Sequence, residues 1–141
     1  MRVPDLNVLL NSKNVESPHH EAARTWLERA LAASETVGFA TLVVVGFIRI
    51  STRAPVFPQP LSVAEALDQV DNWFSSSSAT TVNPGARHLP LLRSLLEHTG
   101  TAGNLTNDAH LAAMAIDHRA TLATFDGDFH RFPGLKLEYL Q

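Results

Sequence analysis

Cysteine is absent from this 141-residue chain. Its absence excludes a disulfide framework, a thiolate-bound metal and a cysteine nucleophile, and it suits a cytoplasmic protein. Long hydrophobic runs are absent too. The longest, Phe39 to Ile48, holds ten residues, against about 20 for a helix that crosses a bilayer, so no membrane association is expected. Met1 to Asn14 has neither the apolar stretch nor the small-residue cleavage site of a secretory leader. Positive charge is scarce: 11 Lys and Arg stand against 14 Asp and Glu, for a formal net charge of −3. That balance disfavours a broad, non-specific nucleic-acid surface. It leaves room for a nuclease, because acids that hold a metal themselves raise the acidic count. No internal repeat and no low-complexity tail interrupts the chain.

What is present suits a folded domain. Apolar residues make up 45% and charged residues 18%, enough for one core, and the length fits a single domain over residues 1–141. Val3 to Asp5 reads as a strand ended by Asp5, and Leu6 to Leu10 starts a helix. Ser17-Pro18 is placed to cap and open a second helix, along which Ala23, Trp26, Leu27, Ala30 and Leu31 form the apolar face. Glu35 to Phe39 is a second strand and Thr41 to Ser51 a mostly apolar third helix. The prolines between Arg53 and Pro60 demand a loop. Ser62 with Glu65 makes a capping-box pattern for a helix reaching Phe74. Ala79 to Val82 is a strand, Arg87 to His98 a helix stopped by Gly100, and Leu135 to Tyr139 an edge strand.

Gly103 to Phe129 carries the densest chemistry. It reads as a helix, a short strand over Ala120 to Thr124, and an acidic turn, Asp126-Gly127-Asp128. Asn104 and Asp108 are four apart and share a helix face. Strands alternating with helices predict an α/β fold, with helices on both sides of a mostly parallel sheet. In such sheets the site lies outside the carboxyl ends of the strands, where Asp5, Asp126 and Asp128 fall, with Asp108 at a helix start. Carboxylates gathered there repel one another unless a cation lies among them, and Mg²⁺ or Mn²⁺ prefers an oxygen-only set. Phosphodiester hydrolysis is the chemistry such a centre serves, with Asn104 and Thr124 able to orient water, ligands or substrate. Taken singly, each acid reads equally as turn or helix-dipole chemistry, and spacing alone leaves both readings open.

Three segments, Asp5-x-Asn7-Val8-Leu9-Leu10, Gly103-Asn104-x-x-x-Asp108-Ala109-x-Leu111-Ala112-Ala113 and Thr124-x-Asp126-x-Asp128-Phe129, resemble the PIN-domain family, and more closely the VapC-type toxins of bacterial toxin–antitoxin pairs. Phe47-x-Arg49-x-x-Thr52 and Arg131-Phe132-Pro133-Gly134-Leu135 resemble the mycobacterial branch. The resemblance spans essentially the whole chain. It implies a three-layer α/β/α sandwich and a Mg²⁺- or Mn²⁺-dependent endoribonuclease. It also implies inhibition of translation, neutralisation by a cognate antitoxin of the VapB type, and a homodimer. Asp5, Asp108 and Asp126 match the metal-site aspartates of that family, Asp128 its more peripheral acid, and Asn104 its polar helix-start position.

One position departs from the pattern. The family places a glutamate in the third helix where this chain has Gly46. No other acid lies in that helix, so one anionic ligand is missing. An alternative function follows: a catalytically weak module that binds RNA or antitoxin without efficient cutting. A phosphotransferase with Asp5 as nucleophile is disfavoured, since the acid needed two residues on is Asn7, an amide. Arg49 and Arg53 follow Gly46 at helical spacing and are candidate contacts for RNA phosphate or an antitoxin acid; salt bridging or solvation explains them equally. The seven histidines form no zinc-ligand pair and read as surface or helix-end residues, with His110 nearest the site. Trp26, Phe39, Phe47, Trp73 and Phe74 read as core or partner surface, and Phe39 to Ile48 as the lining of a homodimer or antitoxin groove for a partner helix.

Overall fold

The structure, a computed structural model, describes residues 1–141. Five short strands, β1 (Arg2–Pro4), β2 (Val37–Ala40), β3 (Ala79–Val82), β4 (Thr121–Thr124) and β5 (Lys136–Tyr139), form one sheet in the order β3-β2-β1-β4-β5. Every pairing is parallel. Parallel neighbours need a crossover, and the chain supplies helices for it: α1 (Leu6–Lys13), α2 (His20–Ala32), α3 (Thr41–Ser51), α4 (Val63–Phe74), α5 (His88–Thr99) and α6 (Thr106–Asp117). They flank the sheet, α1 packing on α2 and α3, α3 on α4, and α5 on α6. This is the α/β architecture with a parallel central sheet that the alternation of elements predicts.

The core lies between these layers. Val3, Val37, Phe39 and Leu122 from the strands are buried, as are Leu9, Phe47 and Met114 from the helices. Phe39 stacks on Trp73 with ring centroids 5.8 Å apart, and Phe47 meets the same indole at 4.8 Å. Each such burial stabilises by about 1.5–3 kcal/mol, so α3 and α4 are held by their aromatic contacts to β2 and to each other. The capping box of α4 forms as predicted: Glu65 N–H donates to Ser62 Oγ, and Ser62 N–H donates to Glu65 Oε1, each at 3.0 Å. Gly100 ends α5 with φ +70°, a left-handed cap that favours glycine.

Some boundaries differ from the sequence reading. The second helix begins at His20 rather than at Pro18. The Ser17 hydroxyl accepts from the His19 N–H at 3.0 Å and donates to Asn11 at 2.7 Å, so it closes a turn instead of capping the helix. Asn104 lies in a separate 3-10 turn, Gly103–Leu105, ahead of α6. The last residue of α3 is Ser51, which leaves Arg53 in the loop beyond the helix face shared by Gly46 and Arg49.

The order of strands fixes where a site can form. From β1 the chain moves outward through β2 and β3, then returns to the other side of β1 for β4 and β5. The boundary between β1 and β4 is therefore the switch point, outside whose carboxyl ends ligands bind in open parallel sheets.

Candidate functional site

Asp5 and Asp126 flank that switch point, one just after β1 and the other two residues after β4. Asp5 N–H donates to the Ala123 carbonyl at 2.9 Å, continuing the β1–β4 ladder into the site. Asp5 caps α1: its Oδ1 accepts from Leu6 N–H at 2.7 Å. Its Oδ2 accepts from the Thr124 hydroxyl, also at 2.7 Å. The Thr124 oxygen in turn accepts from Asn7 Nδ2 and from Asp126 N–H, each at 3.0 Å. One donor and two acceptors exhaust a hydroxyl, so fully buried Thr124 locks the two strand ends together. Asn7 completes the lock by accepting from Phe125 N–H at 3.2 Å. Asp126 Oδ1 accepts from Asp128 N–H at 2.9 Å, which shapes the acidic turn.

Asp108, half-buried in the first turn of α6, faces this edge. Its carboxyl is pushed up to about 6, first by burial and then by the charges of Asp5, Asp126 and Asp128. Asp5 is also raised, by burial; its bonds from Thr124 and Leu6 pull it down, and Asp126 pushes it up. Asp5, Asp126 and Asp128 thus all act on Asp108, and Asp126 acts on Asp5. Oxygen-only donors suit Mg²⁺ or Mn²⁺ by type. Their placement does not: no three Asp, Glu or His side chains are gathered closely enough to hold an ion. Each Asp5 oxygen and Oδ1 of Asp126 accepts one hydrogen bond, which fixes the carboxylates and leaves each of these oxygens a second lone pair.

Gly46 closes the other side. A Cβ built on it would lie 2.9 Å from Leu6 Cδ2 and 3.4 Å from Cδ1. Leu6 leans into the space where a side chain at this position would begin. A cavity of about 130 Å³ lies beside the two residues, lined by Asp5, Leu42, Val45, Arg49 and Asn107 among others. Arg49 is exposed and forms no ion pair. Arg53 is exposed and does not line the cavity. Asn104 is exposed and its side chain makes no hydrogen bond to the acids.

Three residues here play parts that differ from those expected of the sequence. Asn7 is a structural bridge, signalled by a lone amide inside the apolar Leu6–Leu10 run, where a helix interior disfavours it. Leu6 had no signal, since only the packing brings it under Gly46. His110 is not a surface histidine: it is half-buried and pairs with buried His88 through an Nδ1–Nε2 contact of 2.9 Å. Burial and then His88 hold the His110 pKa below its usual value.

The sequence matches the PIN domain profile over residues 2–135. The chain belongs to the PIN-domain family. Within that family its sequence is 43% identical to Ribonuclease VapC37 of Mycobacterium tuberculosis over 136 residues, 96% of this chain and 94% of the relative. It is 36% identical to Ribonuclease VapC33 of the same species, over 96% and 95% of the two chains. This PIN-domain chain is thus closely related to the mycobacterial VapC-type toxins. Its fold matches the crystal structure of VapBC2 from Rickettsia felis, bound to a DNA fragment from the promoter, with a TM-score of 0.71. The match covers 99% of this chain and 98% of that one at 23% identity. The structure of DNA-bound VapBC from Salmonella typhimurium matches with a TM-score of 0.68 at 17% identity, over 98% and 96% of the two chains. At those identities the likeness is one of fold. No helix of this PIN domain is long and apolar enough to cross a membrane.

Proposed function

We propose that this PIN-domain chain is the toxin-side member of a cytoplasmic toxin–antitoxin pair, binding RNA and a VapB-type antitoxin segment at the carboxyl edge and cutting RNA weakly. The observation that carries this reading is Gly46 with Leu6 packed into its place, beside acids of which no three converge. Kinship with VapC relatives supports the toxin–antitoxin setting. Exposed Leu42 and Val45, beside Arg49 on the cavity wall, support a partner helix laid along α3. The apolar side chains would take its buried face and Arg49 an acid at its rim. A homodimer belongs to the same proposal.

The residues divide the work by their chemistry. Thr124 and Asn7 fix the strand ends, Arg49 offers the unpaired cation for a phosphate, and the acids set the polarity of the cleft. Cleavage of a mixed cellular RNA pool by antitoxin-free protein, with Mg²⁺ or Mn²⁺ and with chelator, tests the proposal when RNA binding is measured alongside. RNA held in chelator and cut only slowly with metal is the expected result. Neither binding nor cutting would overturn it.

A second reading has one observation in its favour. Burial and then three neighbouring acids raise Asp108 to about 6, and the repulsive part of that shift is what a divalent cation relieves. In that reading Asp5, Asp108 and Asp126 take Mg²⁺ or Mn²⁺, Asp128 supports them from farther out, and Asn104 orients water in an efficient endoribonuclease. Rapid metal-dependent cleavage in the same assay would favour it.

A further inference from the structure

One aromatic pair at the site is unlike the aromatics of the core. Phe39, Phe47 and Phe129 are buried. Phe125, between Thr124 and Asp126, is only half-buried, and so is the ring that covers it, His19 from the turn before α2. The two rings stack with centroids 4.4 Å apart and planes 29° from parallel. Neither is held by its own polar atoms. Phe125 is fixed through its backbone N–H on Asn7, and His19 through its backbone N–H on Ser17 Oγ. The neighbouring His20 uses its Nδ1 on the Asn11 carbonyl at 2.9 Å, whereas the His19 imidazole makes no hydrogen bond within the protein. The turn is thus braced from below by Asn11, and a flat, polar-edged ring is left at the rim of the acidic edge.

We infer that His19 and Phe125 form a stacking subsite for one unpaired nucleobase of single-stranded RNA. The inference rests on the RNA-binding reading above and gives it a location. Four acids at the edge repel phosphate, so a strand lying there needs an anchor that is not a phosphate contact. A base has a π-face whatever its identity, and aromatic and imidazole rings accept it. The base lies on the open face of His19 or slides between the two rings, and the free imidazole nitrogens, which point outward in the ring plane, are left for the adjoining 2′-hydroxyl. Arg49, which lines a cavity with Asp5, then takes a phosphate of the same strand. Duplex RNA has no unpaired face to offer and does not use the subsite.

The test measures binding rather than cutting. A short single-stranded RNA with one 2-aminopurine is titrated with the protein in chelator, and both affinity and base quenching are read. The parent quenches the probe. His19→Ala and Phe125→Leu each bind about tenfold more weakly and lose the quenching, whereas Phe125→Trp keeps both. Thermal melts verify that each variant is folded; if Phe125→Leu is not, His19→Ala and Phe125→Trp decide the matter. Unchanged affinity and quenching in His19→Ala would overturn the subsite and leave the RNA reading standing. No binding of any RNA by the parent would overturn both.

Discussion

Leu6 stands where a side chain on residue 46 would begin, its Cδ2 2.9 Å from the position of a Cβ on Gly46. The missing acid and the leucine are therefore one feature of the cleft. From sequence alone, Gly46→Glu should tighten Mg²⁺ or Mn²⁺ binding and speed cleavage. With Leu6 in view, the single substitution first has to displace a methyl group. The expected order of Mn²⁺ affinity is parent, then Gly46→Glu, then Gly46→Glu with Leu6→Ala. Calorimetric titration checks it. Equal affinity for the single and double variants would show that Leu6 turns aside freely.

Asp108 makes the metal-free protein sensitive to pH. Its folded pKa of about 6 lies above the ordinary carboxyl value. A raised carboxyl contributes stability that is fully present below the unfolded pKa and is lost as pH rises through the folded one. Chelator-treated protein should therefore melt higher at pH 5 than at pH 7.5. Asp108→Asn should flatten that dependence and raise stability at pH 7.5 by about 1 kcal/mol, a figure discounted for a half-exposed group. A lower melting temperature for Asp108→Asn at pH 7.5 would mean that the carboxylate holds the fold together.

Thr124 is the hub that joins Asp5, Asn7 and Asp126. Thr124→Val keeps the shape and removes the hydroxyl, leaving Asn7 Nδ2 and Asp126 N–H without their partner. A loss of about 1–3 kcal/mol is expected in urea unfolding. Thr124→Ser, which restores the oxygen, should recover most of it. The valine variant should also raise Asp5 further, because the Thr124 bond lowers its pKa.

Arg49 is exposed, unpaired and on the cavity wall. Arg49→Glu should weaken binding of the cognate antitoxin at least tenfold while shifting the melting temperature by no more than a degree or two, as for a surface substitution. Surface-bound antitoxin and a parallel melt are the measurements. Equal affinity for parent and variant would move the antitoxin groove away from α3.

Much of this architecture is legible in the chain because it rests on local chemistry. Ser62 and Glu65 announce a helix start within four residues, and Gly100 announces a helix end. Asp5, Asp108 and Asp126 stand out because they fall next to element boundaries. What could not be read depends on contacts between distant segments. Asn7 meets Thr124 across 117 positions, and Leu6 meets Gly46 across two elements. Ser17-Pro18 has the form of a helix start, yet the side chain of Asn11 draws Ser17 into a turn. His110 reads as a surface histidine in the sequence because His88, its partner on α5, is 22 residues away.

The site's two halves come from opposite ends of the chain. Asp5 is made among the first residues, and its bond to Thr124 spans 119 positions. Strand β1 cannot acquire its neighbour β4 until Thr121–Thr124 have been made. Contacts of such span form late, because the intervening loop must be closed before they repay its entropy. A chain stopped before residue 121 carries Asp5 with no hydroxyl to orient it and no acidic turn beside it. The carboxyl edge is therefore complete only once β4 is in place.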